Sequence, residues 1–118
     1  MRRALLWSAL CITTMASMGI QAQELMQLRL DIRGHLFYPP EFDVPAGKKF
    51  RLLVVNNDST PEEFESYELN REKVIMGGTS VTLFIGPLPA GQYPFFGEFN
   101  PKTAQGKIIA VDNISGKP

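Results

Sequence analysis

The sequence predicts an all-β domain built as two facing sheets. Three observations carry that prediction. Apolar residues alternate with polar ones in several short runs, glycine and proline punctuate the gaps between runs, and no 3.6-residue periodicity persists long enough for a major helix. A single antiparallel sheet of this size would leave one apolar face wet. Two sheets packed face to face bury it, so a sandwich or small barrel follows.

The elements can be justified in chain order. Met26, Leu28, Leu30 and Ile32 alternate with Gln27, Arg29 and Asp31, the two-residue period of a strand with one buried face. Gly34 and Pro39-Pro40 interrupt it. Phe42-Asp43-Val44 is a short extended piece ending at Pro45, and Ala46-Gly47-Lys48 is a turn. Phe50 to Val55 is the strongest β segment, apolar except for Arg51, as suits a central strand. Asn56 to Pro61 is a polar loop. Phe64 and Tyr67 then stand among glutamates, in an irregular strand or a short helical turn, and Glu72 to Val74 is a further strand candidate. Gly77-Gly78 turns the chain into Val81 to Ile85, where Val81, Leu83 and Ile85 share a face. Pro87, Pro89 and Gly91 mark a loop before the last two strands, Tyr93 to Phe96 and Lys107 to Val111.

The first 22 residues are expected to be a secretory signal peptide. Arg2 and Arg3 give a positive start, Leu5 to Ile20 is mostly apolar, and Ile20-Gln21-Ala22 ends on a small residue. Ser8, Thr13, Thr14 and Ser17 break the apolar run, which argues against a membrane span. Cleavage would leave residues 23–118 as one domain, remove Cys11 as the only cysteine, and place the domain in the periplasm. It would also remove two of the twelve basic residues and none of the twelve acidic ones, for a net charge of −2. That balance gives no footing for nucleic acid or for a basic membrane-surface patch.

Several stretches resemble the cupredoxin-like family. They are Phe42 to Gly47, Leu52 to Asn57 with Asp58 to Pro61, Pro87-Leu88 with Ala90 to Tyr93, and Tyr93-x-Phe95-x-Gly97 followed by Gly106-Lys107-Ile108. Their order spans nearly all of residues 30–112. The resemblance implies a Greek-key β-sandwich, cupredoxin-like. It also implies that the four usual copper ligands are all replaced. Glu62 stands for the first histidine, Gly97 for the cysteine, Asn100 for the second histidine and Gln105 for the methionine. A blue site needs a thiolate and imidazoles around copper.

A narrower similarity is to small periplasmic members of that family associated with ferrous-iron permeases. Glu62 to Ser66, Leu69 to Ile75 and Phe95 to Gly106 carry it. It implies a metal-binding accessory protein of iron uptake, which binds or oxidises Fe²⁺, or hands it to an inner-membrane permease or a periplasmic partner. The implied cofactor is an iron or copper ion. Relatives often carry histidine where this chain has Asn100, and a neutral amide is a poorer ligand than imidazole.

The residues themselves offer one dense acidic segment. Glu62, Glu63, Glu65, Glu68 and Glu72 lie close in sequence, and carboxylate oxygens suit Fe²⁺, Fe³⁺ and Mn²⁺. In an extended segment Glu63 and Glu65 share one face and Glu62 takes the other. Mutual repulsion should raise some of their pKa values until a cation relieves it. The metal candidates are Glu62, Glu65, Glu98 and the lone histidine, His35, the last with Met26 or Met76 or the acidic loop beside it. The competing readings are a solvated acidic loop paired with Lys48, Lys49, Arg71, Lys73 and Lys102, a docking patch for a basic partner, and a metal-free interaction or structural module. An enzymatic, ferroxidase-type role is left open at this level.

Overall fold

The structure is a computed structural model that describes residues 25–112; the expected leader lies outside them. Nine strands are present among the described residues, and no α-helix. They are β1 (Met26–Arg33), β2 (Leu36–Tyr38), β3 (Glu41–Pro45), β4 (Phe50–Asn56), β5 (Glu62–Ser66), β6 (Arg71–Ile75), β7 (Ser80–Ile85), β8 (Gly91–Gly97) and β9 (Gln105–Val111). One sheet has the order β2-β1-β4-β7 and the other β3-β9-β8-β5-β6. The pairs β1–β4 and β3–β9 are parallel and the rest antiparallel. The all-β sandwich expected from the alternation is therefore what forms.

Parity along each strand decides what is inside. Phe50, Leu52 and Val54 of β4 face the core, as do Leu30 and Ile32 of β1 and Leu83 and Ile85 of β7. The opposite sheet supplies Val44, Phe64, Phe95, Ile108 and Ala110. At the centre the rings of Phe37 and Phe64 each approach Phe95, at 5.0 and 5.1 Å between centroids. Gly106 is required there, because a Cβ would run into the Phe95 ring. Phe96, one residue on, faces outward and packs against Tyr67.

The segment left open between strand and helical turn is a regular hairpin. β5 and β6 pair from Glu62↔Ile75 to Ser66↔Arg71 around the loop Tyr67–Asn70. The Ser66 hydroxyl closes that loop by accepting from the Leu69 N–H and donating to the Pro94 carbonyl. Asn70 takes a left-handed conformation at φ 52°, which asparagine tolerates better than most residues.

Strand β2 was not expected. It exists because Gly34 and His35, both at positive φ, form a two-residue reversal that returns the chain onto β1. Asp58 fixes this turn by accepting from the Gly34 and His35 N–H groups at 2.8 and 2.9 Å.

Candidate functional site

The site begins with the register of β5. Glu62, Phe64 and Ser66 are buried and Glu63 and Glu65 point outward, the parity expected from the sequence. On the outer face Glu65 lies directly opposite Glu72 of β6. On the other side Phe64 pairs with Gly97, so the next residue, Glu98, reaches Glu63, donating its N–H to the Glu63 carbonyl at 2.9 Å. Carboxylate oxygens of Glu63, Glu65 and Glu72 all lie within 4.8 Å of one another.

Like charges facing each other across a sheet are unfavourable. Their effect is visible in proton affinity. A hydrogen bond with Glu72, then partial burial, then the charges of Glu72, Glu65 and Glu98 push Glu63 up to about 7. Glu65 is raised by partial burial and by Glu72 and Glu98. The basic residues that the competing reading pairs with this cluster form no ion pair with it among the described residues. Among the described residues, the side-chain ion pairs join Arg29 and Arg33 to Asp31 and Lys107 to Glu41, and the His35 imidazole lies beside Asp58. Arg71 instead donates through Nε and Nη2 to the Phe84 carbonyl of β7.

The four residues singled out from sequence thus separate into three places. Glu65 and Glu98 share the outer acidic face, together with Glu63 and Glu72, which were in view but not selected. Assigning the hairpin register would have found Glu72, because it sits across from Glu65. Glu62 turns inward and is 1% exposed. Its Oε1 accepts from the N–H groups of Glu63 and Phe99 at 2.9 and 3.0 Å, and its Oε2 from Asn100 Nδ2 at 2.7 Å. His35 sits in the β1–β2 turn of the other sheet, with Nδ1 3.6 Å from Asp58. Among the described residues it is not part of the carboxylate group of Glu63, Glu65 and Glu72, and Met76 is an exposed residue beyond β6.

The loops at this end are tied by Asn56. Asn56 continues the inward parity of β4 and is buried. Its Nδ2 donates to the carbonyls of Thr60 and Ile75, and its Oδ1 accepts from the Asp58 N–H. Asn57 turns outward and donates to Asp31.

Comparisons with known proteins agree with this geometry. Residues 3–110 match the family model described as a cupredoxin-like domain. An uncharacterized protein of Rickettsia prowazekii (strain Madrid E), RP394, is 42% identical over 88 residues, which cover 75% of this chain and 70% of that protein. Among solved structures, amicyanin from Paracoccus versutus aligns with a TM-score of 0.58 at 18% identity, over 72% of this chain and 81% of that one. Auracyanin A, a blue copper protein from Chloroflexus aurantiacus, aligns at 0.64 with 12% identity, over 75% of this chain and all of that one. The metal-binding domain of the Cu(I)-exporting P-type ATPase CopA from Streptococcus pneumoniae D39 aligns at 0.62 with 14% identity, over 73% and 85%. At these identities the three structures speak to fold alone.

Proposed function

From the premise that this chain belongs to the cupredoxin-like domain family, we propose that it is an exported accessory protein that binds a hard or borderline cation on its outer acidic face and serves iron uptake. The observation that carries the reading is the cluster of Glu63, Glu65 and Glu72, with Glu98 beside it and no basic partner among the described ion pairs. As carboxylates, Glu63, Glu65, Glu72 and Glu98 repel one another. A divalent ion would offset their repulsion and displace the proton held near Glu63. Oxygen donors favour Fe²⁺, Fe³⁺ or Mn²⁺ over Cu⁺.

The copper that many relatives of this fold hold does not fit the corresponding end of this chain. Glu62 spends both carboxylate oxygens on internal donors. A Cβ at Gly97 would lie 2.7 Å from the Glu62 Cδ, leaving no room for a cysteine side chain. Gln105 donates to the Pro101 carbonyl. No thiolate or imidazole stands among these residues, so we assign no type 1 copper chemistry here. We assign binding and handover and not oxidation, because removing an electron from Fe²⁺ needs an acceptor that these carboxylates do not provide. The expected leader supports a periplasmic location, and a permease or a periplasmic protein is the proposed recipient.

Calorimetric titration of the purified protein with Fe²⁺ under anaerobic conditions, and with Mn²⁺ and Cu²⁺, tests the reading. Fe²⁺ and Mn²⁺ should bind, and Glu65→Gln with Glu72→Gln should weaken both at least tenfold. Binding no tighter than about millimolar would return the chain to a metal-free interaction module. An export-competent strain lacking the protein should take up Fe²⁺ more slowly.

A further inference from the structure

The buried carboxylate of Glu62 raises a separate question. An inward glutamate at the start of a strand is costly unless its charge is met by donors. Here the donors come from the turn between β8 and β9. Phe99 and Asn100 supply an N–H and a side-chain amide, and the turn closes on itself through Asn100 N–H to the Gly97 carbonyl and Ala104 N–H to the Asn100 carbonyl. Gly97 is part of the same device. Any side chain there would meet the Glu62 carboxylate at 2.7–2.8 Å and the Ala104 Cβ at 2.8 Å. The space a ligand side chain would need at position 97 is filled by the carboxylate group arriving from β5.

We propose that Glu62, Gly97 and Asn100 form a carboxylate latch that joins the 97–104 turn to the start of β5 without any metal. The latch does the mechanical work that a shared ion does where two loops supply its ligands: it cross-links them at one end of the sandwich. Two charge-assisted hydrogen bonds from the turn to a buried carboxylate suit that role. The proposal is independent of whether the outer acidic face binds a cation, since Glu62 points away from that face.

The test is amide hydrogen exchange on chelator-treated full-length protein, read at Phe99 and Ala104 with the β4 amides as an internal control. In Asn100→Asp two carboxylates would face each other, so exchange at Phe99 and Ala104 should rise at least tenfold while β4 stays protected. Adding Glu62→Gln to that variant restores a donor opposite an acceptor at the original net charge, with the amide now on β5 and the carboxylate on the turn. Protection should return toward the unsubstituted level. Stoichiometric Mn²⁺ or Cu²⁺ should leave Phe99 protection in the unsubstituted protein unchanged. The proposal is overturned if Asn100→Asp leaves both amides protected, if the double variant fails to recover or fails to fold, or if protection depends on added metal.

Discussion

Replacing Asn56 by alanine should cost far more than the same change at Asn57, although the two are neighbours of one type. Asn56 is buried and makes three side-chain hydrogen bonds, at 2.8 Å to the Thr60 carbonyl, 3.0 Å to the Ile75 carbonyl and 3.0 Å from the Asp58 N–H. A neutral hydrogen bond of this kind contributes about 1 kcal/mol net, and leaving its buried partner unmatched costs at least as much. Asn56→Ala should therefore lose about 3 kcal/mol. With a urea slope of about 1–2 kcal/mol/M for a domain this small, the unfolding midpoint falls by roughly 1.5–3 M. Asn57→Ala gives up an outward-facing bond to Asp31 at 2.9 Å and a longer one to the Val55 carbonyl, and should lose about 0.5–1 kcal/mol. Urea unfolding followed by far-ultraviolet circular dichroism reads both. Equal losses, or a larger loss at Asn57, would refute the claim that Asn56 holds this end together.

Further outcomes follow from the same geometry. Glu63 binds its proton more tightly in the folded than in the unfolded state, so stability should fall as pH rises from about the ordinary glutamate value of 4.5 to about 7. Thermal melts across that range should show the decline, and Glu72→Gln should flatten it. Because a cation must displace that proton, Mn²⁺ affinity should be on the order of tenfold weaker at pH 6 than at pH 8; a flat profile in calorimetry would count against the outer cluster. Gly106→Ala should destabilise by about 1–3 kcal/mol through overpacking against Phe95, measured by the same urea assay.

Much of the fold was legible because parity is robust. Alternation put Leu30 and Ile32 of β1 on one face and Leu83 and Ile85 of β7 on another, and these are buried. It also separated Glu62 from Glu63 and Glu65. β4 reads only as a continuous apolar run, and Met26, on the same face as Leu30, is exposed. Parity also held the answer at Asn56, which continues the Phe50, Leu52, Val54 series, but treating Asn56 to Pro61 as a uniform loop hid it. Strand β2 was not legible, since the three residues Leu36–Tyr38 are too few to carry a period, and the turn depends on His35 adopting a positive φ under the hold of Asp58. The site was half legible for a related reason. Glu65 and Glu98 come together across strands whose partners local sequence does not announce. Glu72 joins them only once the Tyr67–Asn70 loop sets the hairpin register. Arg71 could not be read as absent from the cluster, because its recipient, the Phe84 carbonyl, belongs to the other sheet.

Paramagnetic broadening of backbone amide resonances by substoichiometric Mn²⁺ tests the metal-binding claim most directly. Broadening should be greatest at Glu63, Glu65, Glu72 and Glu98, and weak at the Gly34-His35 turn. A centre of broadening at His35 and Asp58, or no site-specific broadening at all, would contradict it.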